Sequence, residues 1–341
     1  MHDVHVGYAR PDDAPDVRRV IHRGFGARRR LDPPTTATDE TDDSVRARLE
    51  ADGGVLVRHD AEPVAACLFD RSRPGLLGMR RVSVDPAYQQ HGVASVMVGF
   101  AEELAGDDGL DGLWLTARVE LPETVEFWQR RGYFVVARRD PFLELGKALP
   151  VVVGTERPED TVALGQRLAA LLAPGDLLVL AGGLGAGKTT LARGIGAGLG
   201  VRGDVTSPTF VIARVHPPTG TGPALVHADA YRLGGVAELD DLDLDASLAS
   251  SVTVVEWGSG VAEGMSASWL EVRLDRRLGA GDLDDTAHTD AADGTDHPVV
   301  ADGTDQASGA ERLDPRTVTV VPHGSRWSGV PLRSALLTGP A

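Results

Sequence analysis

The sequence of 341 residues contains one cysteine, Cys67. That excludes a disulfide framework and an all-cysteine metal site. Lysine is nearly as scarce: Lys147 and Lys188 are the only two, and the remaining strongly basic residues are arginines. No stretch of about 18 apolar, uncharged residues occurs, so no membrane span is expected. The opening residues MHDVHVGYARP lack a basic start followed by an apolar run, so no secretory leader is expected and the chain reads as cytoplasmic. Positive charge is short overall, with 34 Lys and Arg against 50 Asp and Glu, a net charge of -16. A broad basic face for gripping nucleic acid is therefore excluded, and any RNA would be met through partner proteins.

What is present suffices for two domains. Hydrophobic residues make up 42% of the chain, enough for ordinary globular cores. In residues 1–149, the alternation of Val4, Val6 and Tyr8 predicts a strand, followed by a helix over 12–25. Residues 31–46, rich in Pro, Thr and Asp, predict a loop. Strands are expected at 54–58, 64–69, 76–84, 112–117 and 133–138, with helices at 92–106 and 122–131. Residues 150–341 form the second α/β unit. Pro158 suits a first helical turn, and Leu164, Leu168, Leu171 and Leu172 fall on one face. Pro174-Gly175 stops that helix, and Leu177–Leu180 reads as a buried parallel strand. Residues 279–310 hold eight Asp and no Lys or Arg, a composition that predicts a disordered insertion within this unit. A strand at Thr317–Val321 follows, and residues 322–341 close the unit.

The strongest motif is GGLGAGKTT at 182–190, which satisfies G-x-x-x-x-G-K-[ST] through Gly182, Gly187, Lys188 and Thr189. Such a turn lets the N–H groups of Gly183, Leu184, Gly185, Ala186 and Gly187 converge on phosphate oxygens, and the helix that starts there adds its dipole. Lys188 reaches the β/γ-phosphates, the Thr189 hydroxyl is placed for Mg²⁺, and Thr190 completes the loop. Asp229 follows the short apolar run Ala224–Val226, and Glu256 follows Val252, Val254 and Val255. Carboxylates at the ends of parallel strands beside such a loop face the phosphate crevice, where one can hold Mg²⁺ and another can orient water. The loop alone leaves ATPase, GTPase and kinase open; the absence of N-K-x-D disfavours a GTPase.

Four stretches resemble the TsaE (YjeE) family of ATPases in bacterial threonylcarbamoyladenosine synthesis: the loop at 182–190, T-S-P-T-F at 206–210, H-A-D-A-Y-R-L at 227–233 and V-E-W at 255–257. The resemblance runs over roughly 150–275; the acidic insertion departs from it. It implies a P-loop fold in which Thr206, Ser207, Pro208 and Thr209 form a switch-like segment sensing the γ-phosphate. It makes Lys188, Asp229 and Glu256 catalytic, with the division between the two carboxylates open. It places Trp257 near the nucleotide, and Tyr231 and Arg232 in support of the site or a partner surface. It implies ATP and Mg²⁺ as cofactors, the proteins TsaB and TsaD as partners, and an indirect role in modifying adenosine 37 of tRNA. A small-molecule kinase and a non-catalytic nucleotide-binding scaffold are the competing readings. No arginine-rich lid supports the former, and intact motif residues oppose the latter.

In the first unit, V-S-V-D-P-A-Y-Q-Q-H-G-V-A spans 82–94. Gln89, Gly92 and Ala94 satisfy Q/R-x-x-G-x-G/A between a strand carrying Val82 and Val84 and a helix beginning near Val93. The turn, with Gln90 and His91 in it, offers free N–H groups and a helix N-terminus to a pyrophosphate. This segment and A-R-V-E-L-P-E-T-V-E-F-W-Q-R-R-G-Y at 117–133 resemble the GNAT acetyltransferases over residues 4–145. The resemblance implies a GNAT-like mixed sheet and acetyl-CoA as cosubstrate. Trp128 stands where many members carry a tyrosine; an indole cannot give a proton to a departing thiolate. Glu120 is a candidate base, and the acceptor is not readable.

Overall fold

The computed structural model describes residues 4–208, 212–232, 248–277 and 314–337. The acidic insertion expected at 279–310, Thr209 of the switch-like segment and the side chain of Arg232 lie outside the described residues.

Two seven-stranded sheets follow one another along the chain, each carrying helices, in a two-domain α/β architecture. The first contains β1 (Val4–Tyr8), β2 (Gly54–His59), β3 (Glu62–Asp70), β4 (Leu76–Val84), β5 (Gly112–Arg118), β6 (Phe134–Arg139) and β7 (Phe142–Ala148). Their order is β1-β2-β3-β4-β5-β7-β6. Every pairing is antiparallel except β4 with β5. Strand β3 shows why the sheet is covered on both sides. Its alternate residues Ala66 and Leu68 join a core under α1 (Ala14–Gly26) and α2 (Asp42–Ala51), while Ala65, Cys67 and Phe69 join the core under α3 (Val93–Asp107) and α4 (Pro122–Gln129). In α1, the buried Val17, Val20, Ile21 and Gly24 repeat at helical spacing.

Helix α2 corrects the loop expected over 31–46. Thr41 caps it by accepting the Ser44 N–H, while the Ser44 hydroxyl accepts the Thr41 N–H. Only Val45 and Leu49 of α2 are buried, so its apolar signal is a single pair among charged neighbours.

The second sheet contains β8 (Val151–Thr155), β9 (Leu177–Ala181), β10 (Ala213–His216), β11 (Ala224–Asp229), β12 (Ser251–Glu256), β13 (Trp269–Arg276) and β14 (Arg316–His323), ordered β10-β11-β12-β9-β13-β14-β8. The four central strands, β11, β12, β9 and β13, are parallel, and the outer ones are antiparallel. Leu178 and Leu180 of β9 pack in the core under α5 (Pro158–Ala169) and α6 (Lys188–Leu199); Leu177 and Val179 join the opposite cluster with Val226 and Val255. Burial on both faces explains why β9 reads as an unbroken apolar run. Trp327, Leu332 and Leu336, the latter two on α7 (Leu332–Leu337), return to this core. Among the described residues, no helix is long and apolar enough to cross a membrane.

Candidate functional site

The central parallel strands bring one set of chemistry-bearing residues to a common edge. Asp229 and Glu256 are register partners at the ends of β11 and β12, and Glu256 is level with Leu180 on β9. The loop after β9 starts α6, whose first residue is Lys188. Gly182 takes a φ of +145°, and a Cβ there would lie 2.4 Å from the Leu274 carbonyl oxygen on β13. The loop thus passes so close to β13 that a side chain at this position is excluded.

A cavity of about 400 Å³ opens here, lined by residues 184–190 together with Ser207, Asp229, Tyr231, Glu256 and Trp257. The Lys188 ammonium donates to the carbonyls of Gly182 (2.8 Å) and Gly183 (2.9 Å) and stands 3.7 Å from the centre of the Trp257 ring. Burial pushes the lysine below its ordinary range, against the pull of Glu256 and Asp229. Trp257 reaches this position with a φ of 59°, its N–H donating to the Leu180 carbonyl at 3.0 Å. Its ring lies 5.2 Å from that of Tyr231.

Glu256 Oε1 receives two hydrogen bonds: one from the Thr189 hydroxyl at 2.9 Å and one from His227 Nε2 at 2.9 Å. Because the carboxylate only accepts, His227 donates through Nε2. His227 is fully buried, and its Nδ1 makes no hydrogen bond among the described residues. Asp229 Oδ1 accepts the Tyr231 N–H at 3.0 Å, and Oδ2 accepts the Ser207 hydroxyl at 3.4 Å. Thr189, Asp229 and Glu256 form an all-oxygen donor set, the kind that suits a hard cation holding part of its hydration and a substrate phosphate. No group of three or more His, Cys, Asp or Glu side chains gathers as a metal cluster among the described residues.

The expected switch-like residues divide. Ser207 lines the cavity, Pro208 is buried and outside its lining, and Thr206 is exposed, accepting from Arg214 at 3.5 Å. Two residues without an assigned role in the sequence reading also matter. His227 holds Glu256 Oε1 from a fully buried position. Arg316, at the start of β14, donates to the carbonyls of Ala186 (2.9 Å) and Gly185 (3.2 Å) while pairing with Asp314. His227 lay inside a quoted motif and was a legible signal; Arg316 is one arginine among many, 130 residues from its partner.

The first sheet carries a second site. β4 and β5 pair only from Leu76–Met79 with Gly112–Leu115; beyond that point both continue without pairing to each other. A cavity of about 490 Å³ lies in this gap, lined by residues 79–82 and 114–118, the end of α1 and the loop after it. Val82 and Val84 both pack against the core, and of the two Val82 also lines the cavity. Gln89, Gln90, His91, Gly92, Val93 and Ala94 stand outside it, at the start of α3. Gly92 caps that helix with a φ of +76° and open space around its missing Cβ. Trp128 lines the cavity, buried and packed edge-on against Phe127 (5.1 Å) and Tyr133 (4.9 Å). Glu120 does not stand ready as a base: both oxygens are gripped by Arg118, at 2.7 and 3.1 Å, which holds the carboxyl below its usual range. Cys67 is buried in the core, its thiol pushed up to about 12 by desolvation.

With Gly92→Glu, the added carboxylate would face the N-terminus of α3 in a backbone conformation that side chains resist. From the resemblance of this turn to the GNAT loop, the expected result is a loss of acetyl-CoA affinity of about tenfold or more by isothermal titration; unchanged affinity would show that the turn holds no pyrophosphate.

Comparison with known proteins adds to this geometry. The sequence model of the family described as "Threonylcarbamoyl adenosine biosynthesis protein TsaE" matches residues 155–280, and that of the "Acetyltransferase (GNAT) family" matches residues 22–133. A tRNA threonylcarbamoyladenosine biosynthesis protein TsaE of Streptomyces coelicolor is 66% identical over 117 residues, which are 34% of this chain and 79% of the relative. The protein of the same name from Bacillus subtilis is 40% identical over 123 residues, 36% of this chain and 75% of the relative. Among solved structures, the PaiA N-acetyltransferase of Thermoplasma acidophilum in complex with coenzyme A aligns over 43% of this chain and 99% of its own, at 11% identity and a TM-score of 0.39.

Proposed function

This chain belongs to the TsaE family through residues 155–280, and from that membership we propose that it is the Mg²⁺-dependent ATP-hydrolysing subunit of tRNA threonylcarbamoyladenosine formation. In this reading it acts in the cytoplasm on a complex of TsaB and TsaD, which modifies adenosine 37 and holds the tRNA. Residues 150–341 form the ATPase unit and residues 1–149 an acetyl-CoA-dependent N-acetyltransferase fused to it.

The observation that carries the ATPase reading is the convergence of the Thr189 hydroxyl and the buried His227 on one oxygen of Glu256, beside Lys188. Phosphoryl transfer needs position and charge more than covalent chemistry. The N–H groups of residues 183–187 would hold the β- and γ-phosphates. Lys188 would move its ammonium from the Gly182 and Gly183 carbonyls to the γ-phosphate oxygens. Mg²⁺, held by Thr189 with Asp229 or Glu256, would neutralise charge on the phosphates. Glu256, fixed by His227, would orient the attacking water. The acidic surface is consistent with a protein that meets RNA only through partners.

The test is phosphate release by the full chain with and without the TsaB–TsaD complex. Glu256→Gln keeps the shape and both hydrogen-bond positions but removes the charge. Hydrolysis is expected to fall about 100-fold, with ATP affinity within about threefold of wild type. Equal turnover in the two proteins would reject Glu256 as the water-orienting group. Absence of turnover by the wild-type chain with partners present would reject the ATPase reading.

The acetyltransferase reading rests on the gap between β4 and β5 and the open turn at Gly92. Trp128 supplies no proton to a thiolate, so rate would come from holding thioester and amine together.

A further inference from the structure

We propose that the acceptor of the N-terminal domain is a small amine carrying a carboxylate on an apolar body, as a free apolar amino acid does, and that Arg28 grips that carboxylate inside the 490 Å³ cavity. The proposal rests on the acetyltransferase reading and names its missing substrate class.

The cavity has an unusual charge for this chain. The protein is strongly acidic, yet among the described residues no Asp or Glu lines this space, and four arginines do: Arg28, Arg80, Arg81 and Arg118. Three are already neutralised by carboxylates outside the lining: Arg80 by Asp70 at 2.8 Å, Arg81 by Glu40 at 2.9 Å and Arg118 by Glu120 at 2.7 Å. Arg28 differs. Among the described residues its side chain makes one hydrogen bond, to the Val82 carbonyl at 3.3 Å, and it has no carboxylate partner. Its guanidinium lies 3.9 Å from the centre of the Phe25 ring. Burial alone pushes its pKa down, with no acid drawing it back. An ionised group drawn out of water without a counter-charge is unfavourable, and an anionic ligand relieves that. A guanidinium matches a carboxylate through two parallel N–H donors.

The remaining wall selects the body of the ligand. Phe25, Leu31, Trp114, Leu121, Trp128 and Phe142 give apolar surface, and the volume is that of a small-molecule site. One unpaired guanidinium balances one negative charge, which favours a carboxylate over a doubly charged phosphate. The Val82 carbonyl that Arg28 touches belongs to β4 beyond its last pairing with β5, where the thioester would enter. In the reaction, the neutral amine nitrogen attacks the thioester carbonyl carbon. The N–C bond forms, the C–S bond breaks, and the proton lost by nitrogen ends on the coenzyme A sulfur as a thiol. No other reactant is needed.

The experiment titrates the full chain, saturated with coenzyme A, with N-acetyl-L-phenylalanine and N-acetyl-L-leucine and with their neutral carboxamides. At least one acid is expected to bind about tenfold or more tighter than its amide. Arg28→Met should erase that preference, Arg28→Lys should restore part of it, and the acetyl-CoA affinity of both variants should stay within about twofold of wild type. Equal binding of acid and amide, no binding of either acid, or a loss in Arg28→Met of acetyl-CoA affinity instead of acid preference would each overturn the proposal. Failure of the wild-type chain to bind acetyl-CoA would overturn the acetyltransferase reading itself, and is seen separately in the coenzyme titration.

Discussion

Lys188→Ala is expected to lower ATP hydrolysis by about 100-fold or more, measured as phosphate release at saturating ATP with the TsaB–TsaD complex present. The substitution removes two things. The first is the mobile ammonium that would meet charge on the γ-phosphate. The second is the donor that now ties the Gly182 and Gly183 carbonyls together under Trp257. Both losses fall on the phosphate loop, so ATP affinity should weaken as well, which separates this variant from Glu256→Gln. Wild-type turnover in Lys188→Ala would overturn the site assignment.

The second large effect is structural. Gly194 on α6 faces α5 so closely that a Cβ would stand 2.2 Å from the Val162 carbonyl oxygen. Gly165 meets α6 in the same way, with Leu191 O at 2.5 Å. The two helices touch backbone to backbone, and neither carbonyl can turn aside without breaking its own helix. Gly194→Val must therefore push α6 away from α5, and with it the loop that α6 terminates. A penalty of about 3 kcal/mol is expected, at the upper end for overpacking. That corresponds to a fall of roughly 6–12 °C in the melting transition of the ATPase unit, read by calorimetry. A change below about 2 °C would show that the helices separate freely.

Much of this was legible because the physics is local. The run Leu177–Leu180 announces a strand buried on both faces, and the glycine spacing after it announces a phosphate loop. Asp229 and Glu256 were legible as strand-end carboxylates, although their registry across adjacent strands was not. What stayed hidden depends on distant contacts or weak patterns. Helix α2 buries two side chains and is surrounded by charge, so its helical period is weaker than the turn signal of the proline and threonine upstream. In the sequence no strand is read at β7, β8, β10 or β13, although Leu270, Val272 and Leu274 of β13 alternate inward as a half-buried strand should. The grip of Arg316 on the phosphate loop and, among the described residues, the lack of a carboxylate beside Arg28 are relations between far-separated residues. No window along the sequence displays them.

Between β7 and β8 the chain has only Leu149 and Pro150. The Leu149 N–H is held by the Asp111 carbonyl at 2.8 Å, and Asp111 Oδ1 accepts the Arg333 N–H at 2.7 Å. Arg333 also reaches the Pro150 carbonyl at 3.3 Å, and Ser328 sits where any side chain on Gly146 would clash. A tether this short, bonded from both sides, has no slack to act as a swivel. The two units are joined without slack, so a tilt of one sheet is expected to carry the other with it through the end of β7 rather than be absorbed by the connection. A partner that grasps the second unit would thus carry the cavity of the first at a fixed bearing, like a tool on a rigid arm.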